Sequence, residues 1–234
     1  MFYIFSASNS AYFIHLQGML YSLKGYLNRD YRVIIYDIGL NKVQISILKN
    51  QFSFLNLEIK NLKLNDNNLG TYKFKAQIWQ EMKEYKNCYL IWLDAKSHLK
   101  VMLSDLEHTF YLEHECIVIA DMLVGFKERD YTHPQCSSIM GYADDDPILE
   151  KYQWQSGQYC IDLYNGVSQK FIKELAYYGN IDNCINPTGS VKAMEGGINT
   201  HRQDQSIFSI LMNKYQQIAL LPQAFTFHNT IHQI

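Results

Sequence analysis

Short apolar runs alternate along the chain with stretches whose apolar residues recur at every third or fourth position. The clearest run is Tyr89-Leu90-Ile91-Trp92-Leu93, uncharged and rich in strand formers, and it leads into Asp94-Ala95-Lys96. Such a run predicts a strand buried on both faces, in the middle of a mostly parallel sheet. Asp94 then stands at the carboxyl end of the strand, where open α/β sheets bind their ligands. A carboxylate there is a metal or sugar ligand, or the cap of the next helix.

Residues 2–7 and 32–36 predict two earlier strands. Between them Phe13, Leu16, Leu20, Leu23 and Leu27 mark a helix over residues 12–27. A helix over 42–49, a strand over 55–59 and the polar loop Asn65-Asp66-Asn67-Asn68-Leu69-Gly70 follow. Thr71 is placed to cap a helix reaching residue 85, with Tyr72, Lys75, Ile78, Trp79 and Met82 along it. The order β-α-β-α-β-α-β argues for a parallel sheet with helices on its faces and right-handed crossovers.

Beyond Asp94 the pattern predicts a helix over 101–111, a strand over 116–120 and a loop-rich stretch over 127–146. Asp146-Pro147 fits a helix start. A strand over 159–163, a helix over 167–178, a glycine-containing loop over 186–199, a helix over 202–215 and a last strand over 217–221 complete the reading. No repeat, low-complexity tract or linker divides residues 1–234, which predicts a single domain.

Composition removes several classes of function. Net charge is -2 with 19% charged residues, so the chain carries no nucleic-acid footprint and no polybasic membrane patch. Membrane association, if any, is expected to be peripheral. The five cysteines are scattered, with no CxxC pair, which points to a reducing compartment and away from zinc or a disulfide framework. The N-terminus begins as a strand without a basic leader, and no apolar run approaches 18 residues, so the expected location is cytoplasmic. Trp79 and Trp92 lie in apolar-patterned elements and are expected in the core. His15, His98, His108, His114 and His133 show no metal-ligand spacing.

Chemistry is concentrated in a second segment, Thr200-His201-Arg202-Gln203-Asp204-Gln205-Ser206. Thr200 and Gln203 make a capping-box pattern ahead of Ile207, Phe208, Ile210 and Leu211. A glycine-containing loop entering a helix is a ready place for an anion. The alternative is a well-capped surface helix whose Asp204 complements the macrodipole.

Gly70-Thr71-Tyr72-Lys73-Phe74-Lys75 followed by Tyr89-Leu90-Ile91-Trp92-Leu93-Asp94-Ala95 resembles the approach to the DxD motif of GT-A glycosyltransferases. The resemblance is to the retaining family of bacterial galactosyltransferases and glycogenin, with its TYxRxK helix and YLDxD strand end. Phe5-Ser6-Ala7-Ser8-Asn9 sits where such enzymes hold the nucleotide base. Tyr36-Asp37-Ile38-Gly39-Leu40 and His201-Arg202-Gln203-Asp204-Gln205-Ser206 are similar to motifs of a glycosyltransferase-like family of uncharacterised bacterial and animal proteins. Gln155-Ser156-Gly157 looks like the NSG segment before the acceptor-side strand.

The resemblance implies a single GT-A-like α/β domain with a central, mostly parallel sheet flanked by helices. It implies transfer of a sugar from a nucleoside diphosphate donor, UDP by preference, to a glycan acceptor in bacterial capsule or lipooligosaccharide assembly. Asp94 would be the first DxD carboxylate, holding Mn²⁺ or Mg²⁺ against the diphosphate, and His228 would be the C-terminal metal ligand. Ser6, Ala7, Ser8, Asn9, Asp37, Tyr72, Lys75, Ala95, Lys96, Gln155, Ser156, Gly157, His201 and Arg202 would surround the donor. Asp204 and Gln205 would face the donor sugar as catalytic groups.

One departure matters: the second DxD position is Lys96. A protonated lysine cannot ligate a metal, so either Asp94 finds other partners for a cation or Lys96 itself neutralises the diphosphate. If Asp204 deprotonates the acceptor the reaction inverts; if it only hydrogen-bonds the sugar, a same-face retaining route is open. The rival from another class is a glycosyltransferase-shaped protein that binds nucleotide sugars without turnover. A nucleotidyltransferase is a weaker rival, because Ser6 to Ser10 has neither glycine nor base. Asp144-Asp145-Asp146 reads as a solvated loop leading into a cap rather than a second metal site.

Overall fold

The computed structural model describes residues 1–64, 69–113, 116–191, 196–197, 200–216, 218–219 and 225–227. The chain runs through β1 (Phe2–Ser8), α1 (Phe13–Leu23), β2 (Tyr31–Asp37), α2 (Lys42–Gln51), β3 (Leu57–Asn61), α3 (Lys73–Met82), β4 (Tyr89–Leu93) and β5 (Ser97–Leu99). It continues through α4 (Leu103–Leu112), β6 (Val118–Lys127), α5 (Glu128–Tyr131), α6 (Pro134–Ile139), β7 (Tyr152–Asp162), α7 (Gly166–Gly179), α8 (Asp182–Ile185), α9 (Asp204–Tyr215), β8 (Ile218–Ala219) and β9 (Phe225–Phe227).

Seven strands form one sheet in the order β3-β2-β1-β4-β7-β6-β8, and β5 pairs with β9 in a small second sheet. The first four strands in this order are parallel, whereas β7 runs antiparallel to both β4 and β6. The fold is thus α/β with a mostly parallel central sheet. Strand β4 lies at its middle and is buried along its whole length, as the uninterrupted apolar run requires.

Alternation along the strands divides the apolar residues between two cores. Leu90 and Trp92 of β4 join Phe5, Tyr36, Trp79, Tyr159, Phe171 and Phe208 under α3, α7 and α9. Tyr89, Ile91 and Leu93 join Phe2, Ile4, Leu16, Val33, Leu48 and Phe52 under α1 and α2 on the other face. All five cysteines are buried, and none of them forms a disulfide.

The predicted elements differ from the structure mainly at their ends. Thr71 does not cap α3; Tyr72 does the turning instead, in the left-handed region with φ 57°. The capping box expected of Thr200 and Gln203 does not form, since α9 starts at Asp204 and Gln203 takes φ 42°. Thr200 is drawn into a bridge with Val191. The stretch 127–146 holds α5 and α6, each too short to show periodicity. Asp146 caps a 3₁₀ turn, Pro147–Glu150, by accepting from Ile148 N at 2.9 Å, and Asp144 and Asp145 are exposed. Much of the 186–199 loop, most of the 217–221 strand and His228 lie outside the described residues.

Helices α3 and α7 approach closely at Gly179. A Cβ there would stand 2.9 Å from two ring carbons of Trp79 and 3.0 Å from Ala76 Cβ. Trp79 cannot retreat easily, because its indole N–H donates to Tyr159 OH at 3.0 Å inside the core. Gly179→Ala should therefore lower the unfolding free energy by about 1–3 kcal/mol through overpacking. Urea unfolding reads this directly; an unchanged or higher midpoint would refute the tight approach.

Candidate active site

The strand order reverses direction between β1 and β4: from β1 the chain moves outward to β2 and β3, then returns to place β4 on the other side. Such a switch leaves a crevice at the carboxyl ends of the strands. Here it is a cleft of about 530 Å³. Ala7 and Ser8 line it from β1, Asn9 from the turn that follows, Ile38 from the turn after β2, and Asp94, Ala95 and Lys96 from the end of β4. Tyr12 and the approach to α3, from Leu69 to Phe74, complete the wall.

Beneath the cleft lies a buried ion cluster. Lys75 projects from the inward face of α3 and is 2% exposed. Its Nζ stands 2.7 Å from Asp204 Oδ2 and 3.0 Å from Asp94 Oδ1. The ammonium also lies over the rings of Trp92 and Tyr72, 5.4 Å and 5.6 Å from their centroids. Asp204 Oδ2 accepts a second bond from Ser156 Oγ at 2.6 Å, and Asp94 Oδ1 one from the Trp92 indole at 2.9 Å. The antiparallel register of β7 sets Gly157 opposite Asp94, whose N–H donates to the Gly157 carbonyl at 2.7 Å.

Burial alone would lower the Lys75 pKa, but Asp204 and then Asp94 outweigh it and raise it above that of an ordinary lysine. Its stabilisation is therefore present throughout the neutral range and is lost only in strongly alkaline solution. Burial pushes the Asp94 carboxyl up, Lys75 pulls it down, and Asp204 pushes it up again. Asp204 is itself buried, so the surface-helix alternative for its segment does not hold.

Other residues singled out in the sequence take different places. Ser6 is fully buried, and its hydroxyl has no partner among the described residues. Asn9 caps the turn Ser10–Tyr12, accepting from Ala11 N at 3.0 Å and Tyr12 N at 3.2 Å. Asp37 Oδ1 accepts from Gly39 N and Leu40 N at 2.9 Å and 2.7 Å, which fixes the turn after β2. Lys96 lies 5.2 Å from the Tyr12 ring centroid.

Gln155 accepts from Gln158 at 3.3 Å. His201 is buried and accepts from His133 N at 3.3 Å. Arg202 lies over Phe126 and Tyr131, and the Gln205 amide meets Gln153 Oε1 at 2.8 Å. The sequence reading did not find Glu128, which the fold buries next to Gln153. No local pattern marks that position.

Among the described residues, the donor set at the DxD position does not make a cation cradle. One oxygen of Asp94 is already shared between Lys75 and the Trp92 indole, and the second motif position is a lysine. Among the described residues no group of three His, Cys, Asp or Glu is placed to hold a metal ion. Also among them, no helix is long and apolar enough to cross a membrane.

Three solved structures with a similar fold are glycosyltransferases. The bifunctional glycosyltransferase WbbM matches with a TM-score of 0.59 and 13% identity, over 94% of this chain and 38% of that one. The galactosyltransferase LgtC, in complex with donor and acceptor sugar analogues, matches at 0.55 and 16% identity, over 94% of this chain and 73% of that one. Mouse xyloside xylosyltransferase 1 matches at 0.51 and 11%, over 94% and 85%. The chain has a GT-A-like fold. It therefore spans well under half of the WbbM chain, and most of the other two. No protein-family model and no curated protein matches the sequence.

The first prediction concerns the ion cluster. Lys75→Met should cost about 3–5 kcal/mol, because it strands two carboxylates that the protein holds together. Their mutual repulsion favours proton uptake in the folded variant, so its stability should rise as pH falls from 7 to 5; denaturant unfolding at both values tests this, and a parallel fall would refute it.

The second concerns His201. Burial lowers its pKa to about 4, which the Cys184 backbone only partly offsets. The unfolded chain takes up this proton first, so the contribution is full above about pH 6.5 and is lost as pH falls toward 4. His201→Asn should lose less stability than the wild type over that interval; equal slopes would contradict it.

Proposed function

We propose that the chain is a glycosyltransferase that binds a nucleoside diphosphate sugar in the cleft and passes the sugar to a glycan acceptor. The observation that carries this reading is the bridge from Lys75 to Asp94 and Asp204. It draws three motif segments, separated in sequence, into one cluster under a cleft of nucleotide size. The fold, shared with glycosyltransferases including one solved with donor and acceptor sugar analogues, supports it. UDP is the proposed donor nucleotide, bacterial surface polysaccharide the proposed product, and residues 1–234 the proposed single catalytic domain. The cytoplasm is the proposed location.

The charges suggest how the donor is held. Lys75, Asp94 and Asp204 together carry one net negative charge, and Lys96 at the cleft wall restores neutrality. The Lys96 ammonium is thus the group available to meet the diphosphate, whose leaving oxygen gains charge as the sugar departs. Asp204 Oδ2 is held by an ammonium and a hydroxyl, an arrangement that suits the carboxylate to orienting the sugar. The proposed route is accordingly same-face transfer. The bond from the anomeric carbon to phosphate breaks, the bond to the acceptor oxygen forms, and the acceptor proton passes to the departing phosphate.

Thermal unfolding with a panel of nucleoside diphosphates and nucleotide sugars, with and without Mn²⁺, tests this. UDP or a UDP-sugar should stabilise the protein without metal, by about 2.7 kcal/mol at 100 times its Kd. Lys96→Ala should weaken that binding roughly ten- to a hundredfold, as expected for loss of a charge-assisted hydrogen bond of about 1.5–3 kcal/mol. A shift that requires Mn²⁺ and disappears in Asp94→Ala would return the cation to the site. Stabilisation without transfer to any glycan would favour the binding protein, and no shift with any nucleotide would overturn the donor site.

A further inference from the structure

Behind the ion cluster, Glu128 sits fully buried at the start of α5. Four neutral donors surround it. Oε1 accepts from Ser209 Oγ and from Asn213 Nδ2 at 3.0 Å, and Oε2 from Thr132 Oγ1 and Gln153 Nε2, each at 3.0 Å. The cations of neighbouring segments are engaged elsewhere: Lys127 and Arg129 hold Glu150, Lys214 holds Glu174, and Lys151 donates to the Asn213 carbonyl. Cys136 of α6 is the titratable neighbour that senses Glu128. Asp130 and Tyr131 share its helix, and Arg202 lies at the far end of its hydrogen-bond chain.

That chain runs from Glu128 through the Gln153 amide to the Gln205 amide and Arg202. The Gln205 terminus that faces Gln153 is 2.8 Å from Gln153 Oε1 and 2.9 Å from Arg202 Nη1. As an NH₂ group it donates to Gln153 but confronts the guanidinium donor to donor. As a carbonyl it accepts from Arg202 Nη1, and from Nε at 3.3 Å. Gln153 must then turn as well, giving its NH₂ to Gln205 and setting its carbonyl against Glu128 Oε2. Two acceptors at that distance repel unless one carries a proton, and only Glu128 as the carboxylic acid supplies it.

We propose that Glu128 is a positioning residue, whose proton sets the direction of the Gln153 and Gln205 amides and so whether Gln205 holds Arg202. With Glu128 ionised, Gln205 gives its NH₂ inward and keeps its carbonyl on the outer terminus. With Glu128 protonated, the carbonyl turns to Arg202 and the outer terminus becomes a donor. The role at the sugar rests on the transferase reading of Gln205; the coupling of the amides does not.

Burial raises the Glu128 carboxyl to about 7, against the pull of its four donors. The exchange therefore falls at neutral pH, and the stability that Glu128 contributes in acid is lost as pH rises through about 7.

The test is a side-chain ¹⁵N NMR titration of glutamine-labelled full-length protein from pH 5.5 to 8.5, with Gln153 and Gln205 signals assigned by single replacement with Met. Both signals should move together with a midpoint near 7, and neither should move in Glu128→Gln, whose amide mimics the acid. Wild-type signals that stay fixed, or that move equally in the variant, would overturn the proposal whether or not nucleotide binds. In turnover assays kcat should carry the same midpoint in the wild type and lose it in Glu128→Gln, with KM for the donor less affected. Titrating amides in a protein that binds no nucleotide would support the relay and remove only its use in transfer.

Discussion

One buried ammonium holds the site together. Lys75 leaves water only because two carboxylates meet it, and each comes from a different part of the chain: Asp94 from the end of the central strand, Asp204 from the start of the innermost helix. An isolated charge at that depth would be strongly unfavourable, whereas the cluster satisfies it through ion pairs, a serine hydroxyl, an indole N–H and two aromatic faces. The position of α3 against the sheet is thereby tied to the position of α9. Removing any member disturbs both the packing and the floor of the cleft.

Much of the fold was legible because its strongest signals are local. The apolar run at 89–93 announced a central strand, and the three-and-four spacing from Phe13 and from Lys75 announced helices that cover it. Boundaries were less legible. Thr71 and Thr200 carry good capping chemistry, yet Tyr72 and Gln203 turn the chain in the positive-φ region and tertiary contacts decide where α3 and α9 begin. Helices α5 and α6 are too short to leave a period.

The candidate site divides in the same way. Asp94, Lys75, Ser156 and Asp204 were each visible as motif positions, and the fold brings them within hydrogen-bonding distance of one another. That Asp94 and Asp204 share one lysine was not visible, since register and helix packing set it. Asp37 and Asn9 have a role the motifs did not announce: the Oδ1 atom of each accepts backbone N–H groups and so shapes the turns that border the cleft. Glu128 left no trace in the sequence, because three of the four donors that define its environment, on Gln153, Ser209 and Asn213, come from distant segments.

The strand order also has a consequence for synthesis. Strand β1 takes β2 on one side soon after both emerge, but its other edge must wait for β4, whose first residue, Tyr89, pairs with Phe2. Until then a young chain on the ribosome exposes an apolar strand edge, the kind that templates pairing with other chains. The other edge of β4 waits longer, for β7 and the pairing of Leu93 with Gln158. Co-translational aggregation should therefore depend on how quickly the middle third of the protein is made.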